Sequence, residues 1–225
     1  MSPDSDSMNE IRFFGTLAAA MTHDMKNFLA IVNENAGLLA DLAVRAQHQT
    51  IPVDPLKAET ISRKIGKQVA RADTLMKQFN RFAHSMDREK EWVDLEEAVD
   101  LVSRLAERIL RQHRICLTVI PAPVPCRIHG FRFALLHLIY RAFEILTRHQ
   151  TRELPDTEQE ITVRFGTDPK IPEICFIRDS GPAFEPHTLF RSPEDQALLA
   201  RGHMTNKPMD SGEGFCLRAL SPVNE

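Results

Sequence analysis

The chain has 225 residues, 43% of them hydrophobic and 26% charged, with a formal net charge of −3. That length supports one large or two small domains with a real core, and the composition is ordinary for a globular protein. The balance of charge gives no global basic field, so neither nucleic acid nor an acidic membrane surface is expected as a partner.

The four cysteines, Cys116, Cys126, Cys175 and Cys216, form no CxxC pair and no metal-ligand spacing, so reduced thiols and no metal site are expected. The apolar run Phe13–Met21 is too short to span a bilayer. It follows Asp4, Asp6 and Glu10, where a signal peptide needs basic residues. A cytoplasmic protein without a membrane anchor is the expectation.

In chain order, residues 1–8 (MSPDSDSM) read as a polar, disordered tail. Phe14, Leu17, Met21, Met25, Phe28, Val32, Asn35, Leu39 and Leu42 then recur every three or four residues, a helical seam apolar except at Asn35. Pro52 and Pro55 interrupt it. A second such pattern runs through Ile61, Ile65, Val69, Ala72, Met76, Phe79, Phe82 and Met86. Together they predict an antiparallel helical hairpin over residues 9–88. One hairpin cannot bury its own seam, so pairing with a second copy into a four-helix bundle predicts a homodimer.

Residues 89–225 have another character. Residues 92–114 read as a helix, 115–121 as a strand, 131–149 as a buried helix, and 160–166 and 173–179 as strands. The tail, 204–220, is rich in turn formers and glycine. Helices mixed with antiparallel or mixed strands predict an α+β fold.

Chemistry concentrates in MTHDMKNFLAIV, residues 21–32. At about 100° per residue, His23 lies about 200° from the seam residues Met21 and Met25 and faces away from it. A neutral imidazole is a nucleophile and forms covalent intermediates. Asp24, next in sequence, is placed to accept from one ring nitrogen and leave the other as the attacking atom. Asn27 is one turn on, on the same face. The bland alternative is a polar triplet covering the solvent side of a helix.

The order of segments weighs against that alternative. A hairpin carrying His23-Asp-Met-Lys-Asn27, followed by an α+β domain carrying DSGPAF (179–184) and SGEGFCL (211–217), resembles the catalytic core of bacterial sensor histidine kinases over residues 10–220. HDMKN matches that family's H-box, His-(Asp/Glu)-x-x-(Asn/Thr). The resemblance implies that His23 carries phosphate exchanged with an aspartate of a response-regulator receiver domain. It also implies that Asp24 acts as base and that Asn27 supports dephosphorylation of the receiver. It further implies a dimeric four-helix bundle and a sandwich domain like the family's ATPase domain, here lacking its last strands.

The nucleotide motifs depart from the family. In HLIYRA, residues 137–142, His137 and Arg141 replace the two asparagines of the N-box, the second of which coordinates Mg²⁺. A guanidinium has no acceptor and repels the ion, though Arg141 can contact phosphate directly. Asp179 and Gly181 keep part of the G1 box, with Ala183 in its last place. Gly212 and Gly214 keep part of the G2 box, with Cys216 in the third glycine's place, where a side chain crowds phosphate. Lys207, in TNKP, matches the family's lid segment and is a candidate phosphate contact. All four acidic and glycine positions also have a plain reading as turn formers.

The leading expectation is therefore a dimeric histidine phosphotransferase acting through His23, with a decayed ATP-binding domain. Mg·ATP is expected as a cofactor only if the pocket still binds it. Partners are a receiver domain and, upstream, a sensor kinase. Residues Lys57–Met86 hold seven Lys or Arg and two acids, a basic stripe suited to an acidic receiver pocket. Two alternatives stand: a working ATP-dependent kinase that phosphorylates His23, and a non-catalytic regulator that binds a receiver or a kinase. No HExxH, Gly-x-Ser-x-Gly or P-loop motif is present, and the single Tyr140 and Trp92 offer no base-stacking platform.

Overall fold

The computed structural model describes residues 3–49, 52–86, 90–153, 158–178, 189–209 and 213–220. They divide into two compact units, Phe14–Arg81 and a larger one formed by Met1–Phe13 with Phe82–Glu225. The fold is α+β: a helical hairpin, then a mixed sheet with helices.

The hairpin consists of α1 (Pro3–Gln49) and α2 (Pro55–Ala83). Helix α1 begins inside the stretch expected to be a loose tail, with Pro3 in its first turn, where proline is tolerated. Its first residues belong to the larger unit, because Phe13 is buried there against Phe82, Phe133 and Tyr140.

Within the smaller unit the seam of α1 matches the sequence pattern. Leu17, Met21 and Asn35 are buried, while Met25, Phe28, Val32, Leu39 and Leu42 are half-buried. The Asn35 amide donates to the carbonyl of Ile31 at 2.7 Å, which satisfies a polar group inside an apolar seam. On α2 the half-buried line runs through Ile61, Ile65, Ala72, Leu75 and Phe79. Val69 and Met76, expected in it, are exposed.

The larger unit opens with β1 (Glu91–Asp94) and α3 (Leu95–Gln112). Residues 92–94 are thus a strand and not the start of the helix. The break falls at Asp94, whose carboxylate caps the helix by accepting from the amides of Glu96 and Glu97. Next come β2 (Ile115–Val119), β3 (Arg127–Gly130), α4 (Arg132–Glu153), β4 (Gln159–Phe165) and β5 (Glu173–Arg178). The unit ends in α5 (Pro193–Arg201), β6 (Met204–Pro208) and β7 (Gly214–Ala219).

β1 pairs with β3, and the remaining strands form one sheet in the order β2-β4-β5-β7-β6, parallel only between β2 and β4. One face of that sheet is apolar. Ile161, Val163, Ile174, Phe176, Phe215 and Leu217 are buried, and Phe143 of α4 meets Phe176 edge-on. The opposite face carries the alternate residues, among them Glu160, Arg164, Glu173 and Arg218. The region read as turns therefore contains two strands, and their hairpin forms the sheet's edge.

Cys175 and Cys216 stand directly opposite each other on β5 and β7 and are joined by a disulfide, with Cα atoms 4.0 Å apart. This corrects the expectation of four free thiols. The two cysteines are 41 residues apart in sequence, and only the strand pairing brings them together. Cys116 and Cys126 are free. Among the described residues, no helix is long and apolar enough to cross a membrane.

Candidate functional site

Two residue clusters bear on function, one in each unit. The first lies on the solvent face of α1. The His23 side chain is half exposed and Asp24 one-third exposed, at 51% and 32%. The helical step of four places Asn27 one turn beyond His23, and its side-chain amide lies 3.2 Å from Nδ1. Asp24 Oδ1 lies 3.5 Å from the same nitrogen. Both neighbours thus address Nδ1. The Asn27 atom facing Nδ1 is Nδ2, which donates to that nitrogen when it is unprotonated; with the proton on Nδ1 instead, Asp24 accepts it and the Asn27 amide turns its oxygen inward. In that second tautomer Nε2 is the unprotonated nitrogen, and neither of these two contacts involves it. The structure thus brings His23, Asp24 and Asn27 together on one turn of α1.

The second cluster lies where α4 meets α5. Arg141 Nε donates to Asp195 Oδ1 at 2.6 Å and its Nη2 to Oδ2 at 3.2 Å, a two-pronged pair. Its Nη1 donates to Glu144 Oε2 at 2.8 Å. Burial works against the guanidinium's charge, but the two carboxylates outweigh it and raise its pKa above the usual value. For Asp195 too, burial pushes the pKa up, and the hydrogen bonds and charge of Arg141 overcome this and hold it below the carboxylate range. Asp195 is itself fixed by α5. Ser192 caps that helix by accepting from the Asp195 amide, and the Asp195 carboxylate accepts from the Ser192 amide.

One turn before Arg141 on α4, the His137 ring stacks on Phe13, with centroids 4.2 Å apart and planes 5° apart. Sequence reasoning missed Asp195 and Glu144. The Ser-Pro-Glu-Asp start of α5 was readable as a helix cap, but its pairing with a residue 54 positions away was not.

The remaining nucleotide candidates scatter. Asp179, Gly181 and Gly212 lie outside the described residues. Gly214 opens strand β7, opposite Ile177, and does not start a helix. A Cβ there would sit 2.1 Å from the carbonyl oxygen of Phe176, so close approach of two strands explains this glycine. Lys207 is exposed on β6, opposite Cys216, and the Cys216 side chain is taken up in the disulfide. Arg141 offers no metal ligand and is engaged by two carboxylates. Among the described residues, Arg141 and Gly214 thus serve contacts within the fold at positions that the resemblance assigns to Mg·ATP.

No family model matches the chain, and no curated protein matches it. Among solved structures, it is similar to histidine kinase AdeS of Acinetobacter baumannii, at 13% identity over 90% of this chain and 98% of that one, with a TM-score of 0.45. It is similar to the ATP-binding domain of PrrB from Mycobacterium tuberculosis, at 18% identity over 61% and 100%, TM-score 0.45. A third similar structure is a bacterial phosphotransferase, at 14% identity over 91% and 94%, TM-score 0.46. Likeness at this level assigns no activity.

Proposed function

We propose that this chain is a two-component signalling protein in which His23 exchanges a phosphoryl group with the aspartate of a response-regulator receiver domain, without using Mg·ATP itself. The observation that carries this reading is the arrangement of Asp24 and Asn27 around Nδ1 of an exposed His23. In the transfer, Nε2 attacks the phosphorus of the receiver's acyl phosphate. A P–N bond forms, the P–O bond to the aspartate breaks, and the carboxylate leaves. Asp24 holds the Nδ1 proton and stabilises the positive charge that builds on the ring. Because the carboxylate touches Nδ1, the reacting nitrogen stays open to a partner.

Two further observations support the reading. Arg141 is spent on Asp195 and Glu144, so in this reading the second domain does not act as an ATPase. Both acids of α2, Glu59 and Asp73, are taken by Arg63 and Lys77, while Lys57, Lys64, Lys67 and Arg71 add further positive charge along the same helix. A basic helix favours encounter with an acidic receiver pocket. The functional form is a homodimer built on the hairpin.

The test uses the purified chain with a receiver domain phosphorylated on its aspartate by acetyl phosphate. Wild type is expected to take label at His23, His23→Ala to take none, and Asp24→Asn to react roughly 10²-fold more slowly. The same proteins with γ-labelled Mg·ATP are expected to remain unlabelled. Label from ATP on wild type but not on His23→Ala would make this a kinase. Absence of label from both donors would favour the non-catalytic regulator.

A further inference from the structure

We propose that Cys175 and Cys216 form a reversible redox site on the exposed face of the sheet, reduced by a dithiol. The inference does not depend on the function of His23. It rests on one cross-strand row. β4, β5, β7 and β6 are consecutive in the sheet, and their registers align Arg164 with Cys175, Cys175 with Cys216, and Cys216 with Lys207. Residues directly opposite each other in adjacent strands project to the same face. The disulfide is therefore flanked by a guanidinium on one side and an ammonium on the other. Both cations are exposed, whereas Cys175 is half-buried and Cys216 is buried.

The Glu173 carboxylate also lies within 4.8 Å of both sulfurs, but it is held by Arg218, so three cations face one anion and the balance suits thiolates. A cation beside a sulfur favours its ionised form and makes it a better leaving group in disulfide exchange. The exposed asymmetry sets the order of events. A thiolate of the reductant bonds to Cys175 Sγ, the half-exposed sulfur. The S–S bond breaks and Cys216 departs as a thiolate opposite Lys207. The reductant's second thiolate then attacks the reductant's own sulfur in the mixed disulfide and Cys175 departs as a thiolate. The reductant leaves oxidised, as its own disulfide, having given two electrons to the protein, and its two thiol protons go to the protein sulfurs or to water. The product is a dithiol between the middle strand β5 and the terminal hairpin β6–β7, which the covalent tie had locked together.

The neighbours also argue against a metal. Glu173, Cys175 and Cys216 bring ligand atoms within 4.8 Å of one another. However, the Glu173 carboxylate accepts from Arg218 at 2.8 Å, and with Arg164 and Lys207 the local balance is positive. A divalent cation would meet that charge with few ligands to offset it.

The experiment is anaerobic reduction of the full chain by dithiothreitol in buffer without denaturant, followed by alkylation and mass spectrometry of each cysteine. Cys175 and Cys216 are expected to become alkylated together and to re-form the disulfide when oxidised dithiothreitol is added. Lys207→Ala is expected to slow reduction roughly three- to tenfold, and Lys207→Arg to restore it, because the leaving thiolate loses and regains its cation. The proposal is overturned if reduction needs denaturant, if Lys207→Ala reduces at the wild-type rate, or if the reduced protein binds added Zn²⁺ stoichiometrically and loses it in Cys175→Ser.

Discussion

His137 occupies the first position of the degenerate asparagine motif, and its surroundings give it a different task from binding nucleotide. Burial, then the charges of Arg141 and Arg201, lower its pKa to about 4, with Asp195 opposing them. Its Nδ1 is buried without a hydrogen-bond partner among the described residues, and its ring lies flat on Phe13. The residue thus behaves as an aromatic core group that must stay neutral. In the unfolded chain a histidine titrates near ~6.5, so the unfolded state binds the extra proton first as pH falls. The stability that His137 contributes is complete above ~6.5 and is lost as pH falls towards 4, about 3 kcal/mol in all. His137→Phe keeps the stack and removes the titration. Urea unfolding at pH 7 and pH 5 is expected to show wild type losing about 2 kcal/mol more than the variant over that interval. Equal losses would show that His137 is solvated. The residue scale is also where legibility divides. His23, Asp24 and Asn27 could be read because they are neighbours on one helix turn. The fate of Arg141 could not, because its partner Asp195 arrives from another helix.

At the scale of elements, Gly214 shows why a motif can be present without its geometry. Its spacing fits a phosphate loop, yet it sits in β7, where the backbone of β5 leaves no room for a Cβ. Gly214→Ala forces two strands apart in mid-sheet and is expected to lower stability by at least about 3 kcal/mol. By contrast, nothing lies within 4 Å of a Cβ built on Gly66 in the interior of α2, so Gly66→Ala is expected to raise stability by up to about 1 kcal/mol. Denaturant midpoints of the two variants check both signs, and a wild-type midpoint for Gly214→Ala would remove the close-approach argument. The elements that could be read were those with local periodicity: both hairpin helices, α3 except at its start, α4, β2, β4 and β5. Strands β6 and β7 were hidden by glycine and proline, which favour turns in isolation. There the sheet overrode local preference, since Phe215 and Leu217 supply its buried face. β1 was absorbed into the following helix because Trp92 and Val93 also fit a helical repeat. Only the cap at Asp94 marks the boundary.

At the scale of the whole molecule, the hairpin leaves apolar surface without cover. Leu38 and Leu56 are 46% and 73% exposed and Met76 is 45% exposed. Leu38 and Leu56, with Leu42 and Ile61, line an open groove of about 400 Å³ between α1 and α2. Arg45, Lys57, Asp41 and Thr60 rim it. Polar residues around an apolar centre are the composition of a protein–protein contact. The half-buried seam extends this surface along both helices, as expected of one half of a four-helix bundle. A second copy of the same hairpin, related by a two-fold axis that sets each groove against its own equivalent, would cover both at once. Sedimentation equilibrium is therefore expected to show a dimer for wild type. The Leu38→Glu/Leu56→Glu double variant, which places buried like charges in both halves, is expected to be monomeric with unchanged helical circular dichroism. The same variant separates assembly from chemistry. In the proposed phosphoryl transfer from a receiver, a monomer that retains activity places the reacting unit within one chain. A monomer that loses it places part of the receiver's docking surface on the second copy.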